Sequence, residues 1–506
     1  MSNYFEILCG VAALLLAVYY YATSTFDFWK NRGVVGPRPL PYFGNIKDIL
    51  FARKSVAVYV KEIYDAYKNE SMIGLYSRTT PLLVICEPKL IKDVLIRDFS
   101  HFSDRGLTIN EKVEPLSSHL FFLETERWRP LRNRLSPIFT SGKLREMFYL
   151  IVECSHHLEK CLDKKVGREE VIECRELAAK FTTDVIGTCA FGIEMSALAD
   201  EESEFRKMGK AVFAVNLRNI LQTKLKQFIP TLYNLLRLLP YQKYVPFFTK
   251  VVSETIKYRR ENNIVRPDFI NMLMELQKHP EKLQNIELSD TLLTAQAFVF
   301  FVAGFETSSL TITNTLYELA QNQDIQDKLR EEIEEHCAKN DGELKYDDIK
   351  RMKYLDKAYK ETLRMYPAGS IVTRRAQSNY IFNGTGVSIP KGTIIWIPVQ
   401  GIHYDPDIYP NPQKFDPERF NEDAVAARNP MHYLPFGDGP RNCIGERFAV
   451  YQTKVGLITI LRNYKVDVCD KTMIPYEIDP GSFVSSPKSG IYLKMTKIPR
   501  KCKIIS

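Results

Sequence analysis

The chain opens on an apolar run, Ile7 to Ala22, ILCGVAALLLAVYYYA, extended by Tyr4 and Phe5 around the single Glu6. That makes roughly 19 residues, about one bilayer span for a helix rising 1.5 Å per residue. A cleaved signal peptide is the main competitor. No basic residue precedes the run, however, and it ends in three tyrosines where a cleavage site would place small residues. Lys30 and Arg32 are the first basic residues, so the positive-inside rule puts the body in the cytosol and the N-terminus in the lumen. Gly33 to Asn45, GVVGPRPLPYFGN, then alternates Pro37, Pro39 and Pro41. Proline at this density forbids a helix and predicts a stiff spacer between anchor and body.

Helical periodicity dominates from about Ser55 to Gln323, whereas strand-like pieces are short, as in PLLVICE around Val84 and TIIWIPV around Trp396. The expected fold class is mainly α with small β-sheets. No Gly/Ser tract, charge block or internal repeat marks a linker in the body. The expected organisation is therefore an anchor and flank over 1–30, a Pro-rich hinge over 31–45 and a single catalytic domain over 46–506. Leu288 to Asn322 is the most informative helix, because TLLTAQAFVFFVAGFETSSLTIT within it is apolar on nearly every face and so belongs at the centre. Gln296 and Glu306 interrupt the run and argue against a second membrane span.

Charge adds little to this picture. The 69 basic and 61 acidic residues leave +8, a bias too small to imply nucleic-acid binding. Arg127, Arg129, Arg132 and Arg134 are nonetheless concentrated, with Lys143 and Arg145 close behind. They read either as a solvated helix face or as a docking surface for an acidic electron-transfer partner. The ten cysteines are scattered without a C-x-x-C pair, which places the body in a reducing compartment.

One cysteine stands apart. Phe436 to Gly445, FGDGPRNCIG, sets Cys443 in a loop of Gly437, Gly439 and Gly445, just ahead of the helix-like ERFAVYQTKVGLITILR. A lone cysteine is ordinarily a small buried hydrophobe. Here the glycines let the backbone approach a flat partner, and amides at a helix N-terminus favour a thiolate. Arg441 is suited to a carboxylate such as a haem propionate.

This loop resembles that of the cytochrome P450 family, F-x-x-G-x-R-x-C-x-G, and matches it at Phe436, Gly439, Arg441, Cys443 and Gly445. The resemblance covers essentially the whole chain and implies the cytochrome P450 fold, with haem b (iron protoporphyrin IX) between a long central helix and the cysteine loop, and Cys443 as iron ligand. Thiolate ligation favours O–O cleavage. In the central helix, Ala303-Gly304-Phe305-Glu306-Thr307 matches the family's oxygen-side motif. This gives Ala303 a place beside the haem, Gly304 the room above it, and Thr307 with Glu306 the protons of oxygen activation. A threonine merely satisfied within a core helix is the plainer alternative. Glu361 and Arg364, three apart, would otherwise be a surface ion pair, but the family pattern joins them to Arg419 in a buried network. Trp128 and Arg132 match W-x-x-x-R, whose members share a helix face and donate to propionates. Arg105 and Arg374 align with further propionate positions, Arg375 being the competitor of Arg374.

NEKVEPLSSHLFFLE, FTSGKLREMF and YLPFGDGPRNCIGERF look like the microsomal insect members of the sixth CYP family. That likeness implies a single-anchor enzyme of the endoplasmic reticulum membrane acting on lipophilic compounds, from plant toxins and insecticides to endogenous lipids or hormones. Electrons would come from NADPH through NADPH-cytochrome P450 reductase, with cytochrome b5 as a second candidate donor; the chain itself carries no G-x-G-x-x-G nucleotide fingerprint. YPAGS at Tyr366 to Ser370 departs from the family's second proline, which leaves the particular substrate open. Candidate pocket segments are Gly106 to Phe122, Phe298 to Thr307, Ala368 to Val372, and Phe483 with Val484. A haem-thiolate peroxide isomerase or dehydratase and a non-catalytic haem sensor are the competing functions.

Overall fold

The computed structural model describes residues 2–482 and 484–499, except 108, 201–202, 214–221, 223–224, 227–228, 237–243, 279–288 and 340–341. Leu288 and Phe483, named above, lie outside the described residues, as do Thr108 within the segment Gly106 to Phe122 and the cysteine at 502. The helices that bear on the site are α1 (Ser2–Thr23), α2 (Thr125–Leu135), α3 (Ser141–Val166), α4 (Cys174–Ile186), α5 (Glu204–Phe213), α6 (Tyr244–Glu261), α7 (Asp290–Gln321), α8 (Lys353–Met365) and α9 (Glu446–Asn463). The strands are short: β1 (Met72–Ser77), β2 (Thr80–Ile85), β3 (Ile172–Glu173), β4 (Val372–Arg375), β5 (Tyr380–Ile381), β6 (Ser388–Ile389), β7 (Ile394–Ile397), β8 (Tyr464–Asp467) and β9 (Tyr492–Lys497). The strands expected near Val84 and Trp396 are β2 and β7. The chain divides into two compact units.

The first unit comprises Met1–Leu107, Gly369–Pro412 and Arg428–Asn442. Its sheet runs β1-β2-β7-β4, with β2 and β7 parallel and the other pairs antiparallel. Ile73, Leu75, Leu83, Val84, Ile395 and Ile397 are buried in its core. β1 is an edge strand, and unpaired edge groups need partners. The Pro-rich stretch and the residue ahead of it supply them: the Gly74 amide donates to Val35 O at 2.8 Å, the Asn45 amide to Tyr76 O at 2.9 Å, and the indole of Trp29, just before the stretch, to Leu75 O at 2.8 Å. The stretch, expected as a stiff spacer between anchor and body, is thus laid along β1. α1 behaves differently, since its apolar residues are almost all exposed.

The second unit comprises Thr108–Ala368, Gln413–Ala427 and Cys443–Ser506. α7 is its axis, starting where Ser289 caps the Leu292 amide and packing against α4 and α9. Burial of most of its length agrees with a core helix. Its hydroxyls are satisfied internally: Thr311, Thr313 and Thr315 each donate to the carbonyl four residues earlier. A three-stranded sheet, β3-β9-β8, completes this unit.

Candidate active site

Cys443 is exposed and precedes α9, whose N-cap is Gly445. The positive end of the α9 dipole therefore adjoins the sulfur and favours its anionic form. Arg132, on α2 one turn beyond the buried Trp128, is within electrostatic reach: burial lowers its pKa, and the Cys443 charge opposes that shift. Trp128, Arg132, Gly445 and Cys443 all belong to the second unit.

α7 resolves into two faces. Phe298 and Phe301 pack edge-on or tilted against Phe248 of α6, and Phe305 edge-on against Phe213 of α5, at centroid distances of 5.0 to 5.7 Å, and are core. Val299, Ala303 and Thr307, four apart, form a stripe that is half-buried or exposed, with Ala303 the most open. Within Phe298 to Thr307, Ala303 is the one exposed residue, and Phe300, Val302 and Gly304 are half-buried like Val299 and Thr307. Thr307 Oγ1 donates to Ala303 O at 2.8 Å, which leaves its oxygen free to accept. Glu306 points elsewhere: it is buried and paired with Arg175 of α4 at 2.6 Å. The room expected above the haem at Gly304 is also otherwise used, because a Cβ there would meet Ile186 Cδ1 at 2.4 Å. Gly304 is small so that α4 can pack closely.

In the first unit, Phe436 is half-buried and Gly439 has a left-handed φ of 74°, with Leu95 O only 1.9 Å from where a Cβ would stand. No other residue fits there. Arg105, Arg374 and Arg441 converge nearby. The Arg105 guanidinium donates to Arg441 O at 2.8 Å. Arg374 is fully buried, and its Nε and Nη2 have no hydrogen-bond partner among the described residues. Burial, then the charges of Arg105 and Arg441, push its pKa well below the ordinary value. A buried guanidinium beside like charges calls for an anion. Arg375 is instead paired with Asp104 at 3.0 Å. Arg374→Ala is therefore expected to purify with less than half the wild-type haem per protein, and Arg375→Ala with nearly all of it; equal haem content in the two would contradict the assignment.

The Glu361 carboxylate is fully buried and accepts from Arg364 Nε at 2.7 Å and Nη2 at 2.9 Å, from Arg419 Nε at 3.2 Å and from the Asp416 amide at 3.0 Å. The expected three-residue network is present, with a backbone donor added. The basic cluster is thinner than its sequence suggested. Arg127 pairs with Glu111, Lys143 with Glu146 and Arg145 with Asp347. Arg129 and Arg134 are exposed on α2.

Two residues near the pocket carried no sequence signal for their roles. Gln296 is fully buried and bonds both Ser118 O and the Leu120 amide. His119, between them, is buried with its pKa pushed down to about 3, chiefly by loss of solvation. An unfolded histidine takes its proton near pH 6.5. The stability due to the neutral ring is therefore complete above about pH 6.5 and declines as pH falls toward 3, by on the order of 1 kcal/mol per pH unit at most. Denaturation midpoints from pH 7 to 4 should fall more steeply in wild type than in His119→Gln; parallel profiles would contradict this.

A family model described as Cytochrome P450 matches residues 34–495. The chain belongs to the cytochrome P450 family and is a monooxygenase of that family, with its mainly α fold and small sheets. It is 42% identical over 507 aligned residues to "Probable cytochrome P450 6a14" of Drosophila melanogaster, covering 96% of this chain and 99% of that one. "Cytochrome P450 6A1" of Musca domestica is 39% identical, covering 98% and 99%. "Cytochrome P450 6B1" of Papilio polyxenes is 38% identical, covering 97% and 99%. The likeness to insect members of the sixth CYP family therefore holds. Membership implies a haem-thiolate cofactor, and the residues present fit it: an exposed cysteine at a helix N-terminus for the iron, and the fully buried Arg374 guanidinium, in want of an anion, for a propionate.

Proposed function

We propose that this enzyme is anchored in the endoplasmic reticulum membrane by α1 and inserts one oxygen atom into lipophilic small molecules, including xenobiotics such as plant toxins and insecticides. The reaction is RH + O₂ + NADPH + H⁺ giving ROH, H₂O and NADP⁺, with electrons passed singly from NADPH-cytochrome P450 reductase and cytochrome b5 as an alternative donor. The observation that carries this reading is the open Val299-Ala303-Thr307 stripe on a helix that is largely buried and packed, in the same unit, against the helix following Cys443.

When bound, the haem supplies the reduction of dioxygen and the transfer of one oxygen atom to carbon. Cys443 would ligate the iron as thiolate, and Arg105, Arg374, Arg441, Trp128 and Arg132 would be the donors to the propionates. Phe436 and Gly445 shape the cysteine loop, while Ala303 presents a small apolar surface to the haem and substrate. Thr307 holds a hydroxyl where protons are consumed. Glu306, on the same helix as Thr307, would supply protons beside it only after leaving its pair with the part-exposed Arg175. Glu361, Arg364 and Arg419 brace the fold beneath. The exposed Arg129 and Arg134 offer an acidic reductase its docking charge. α1 is apolar all round and unpacked, which suits a bilayer. Lys30 and Arg32 beyond it set a cytosolic body.

The test is Thr307→Ala, reconstituted with reductase. NADPH oxidation should continue while product per NADPH falls several-fold and hydrogen peroxide rises, because the hydroxyl oxygen that accepts at this point of the helix, its proton held by Ala303 O, is gone. Unchanged product yield, or product from a hydroperoxide alone at the NADPH-driven rate, would favour the isomerase or dehydratase reading.

A further inference from the structure

Gln296 uses every polar group it has. Its Oε1 accepts from the Leu120 amide at 2.9 Å, and its Nε2 donates to Ser118 O and to Leu292 O, each at 3.0 Å. A carboxamide offers two donors and an acceptor, and here each is engaged out of water. The position matters as much as the bonding. Gln296 precedes Val299, Ala303 and Thr307 by three, seven and eleven residues, so it heads the same face of α7. Ala303 lies about 10 Å further along the axis at 1.5 Å per residue.

The segment it holds is aromatic. His119 and Phe122 have ring centroids 4.7 Å apart, and Phe122 meets Phe121 edge-on at 5.3 Å. The same stretch is fastened once more upstream, where the buried Glu114 accepts from Lys226 and from the Tyr233 hydroxyl at 2.7 Å, and Asn110 bonds Asn234 at 3.0 Å. Between that clasp and α2, Gln296 ties the segment to the helix that carries the open stripe.

We propose that Gln296 is a positioning residue for substrate selectivity: by fixing Ser118 and Leu120 against α7, it sets where the His119, Phe121 and Phe122 rings stand over the face that bears Ala303 and Thr307. This rests on the oxygenase reading. Gln296 touches no reacting atom; it acts through the segment it bonds, and a substrate whose oxidisable carbons compete for one position registers any shift in that wall.

The experiment compares Gln296→Met, close in shape but without the polar bonds, with the full-length wild-type holoenzyme. Deuterium exchange is followed in peptides covering residues 115–123, and dodecanoic acid serves as the probe because its chain-hydroxylated isomers separate cleanly. Loss of the bond to Leu120 should speed exchange there by roughly tenfold, as expected for one net hydrogen bond, and change the isomer ratio at least about threefold. Unchanged exchange overturns the proposal, and so does faster exchange with an unchanged isomer ratio, which marks a purely structural bond. Should Gln296→Met fail to retain haem, Gln296→Glu replaces it, keeping the acceptor for the Leu120 amide but setting a carboxylate against the Ser118 and Leu292 carbonyls, and the same faster exchange over 115–123 and shifted isomer ratio are expected. A wild-type enzyme that oxidises neither dodecanoic acid nor any member of a diverse lipophilic panel defeats the oxygenase reading instead, while the exchange result still reports on the clamp.

Discussion

Cys443→Ser is expected to give a folded chain that has lost both the thiolate signature of its reduced carbon-monoxide complex and all NADPH-driven turnover. The substitution removes one sulfur and little volume, so packing is not the cause. A cysteine thiol ionises near pH 8.5 in the open chain, within reach of neutral conditions, and the α9 N-terminus beside position 443 favours the anion further. A serine hydroxyl has no such accessible anion, and a neutral oxygen is a poor donor to iron. Arg132 gives a second readout. Its pKa is held up in part by the charge on Cys443, so the serine variant leaves this half-buried guanidinium with less compensation. The checks are the carbon-monoxide difference spectrum, haem content and turnover. Wild-type values for all three would place the iron ligand elsewhere.

Glu361→Ala is expected to accumulate as protein without haem, or not at all. The carboxylate is the common acceptor for Arg364 and Arg419, with Arg364 as fully buried as itself. Removing one partner of a buried pair strands the other charge and costs about 3–5 kcal/mol. Here two guanidinium groups and the Asp416 amide lose their acceptor together. Against a total stability of roughly 5–15 kcal/mol, that loss decides whether the fold persists. Glu361→Gln keeps the shape and two acceptor lone pairs and should recover part of the haem content. Full haem occupancy in Glu361→Ala would show that the network is dispensable.

Much of this molecule could be read from its residues in order. The apolar N-terminal helix, the central helix to within two residues at its N-terminal end, the strands at Val84 and Trp396 and the Cys443 loop all carry local signals, either periodicity or fixed spacing. What escaped depends on distant partners. The Pro-rich stretch gave no sign that it would pair with β1, because edge-strand demand arises only once the sheet exists. Glu306 finds Arg175 from 131 residues away, and Arg375 finds Asp104 from 271. A helix that is apolar on every side has no periodic signal with which to separate a core face from an open one, so Phe298, Phe301 and Phe305 looked equivalent to Val299 and Ala303. Gly304 was misjudged for the same reason: its smallness was evident, but the neighbour requiring it, Ile186, was not. Gln296 appeared only as a break in the apolar run, although it is a fully bonded clamp.

The account stands most directly on where the product's oxygen comes from. With the membrane-reconstituted enzyme, NADPH and a flavin reductase under ¹⁸O₂, one labelled atom should appear in the oxidised lipophilic product and the other in water, for one NADPH consumed. Product that carries no label, or that forms equally well from a hydroperoxide without NADPH, would contradict it.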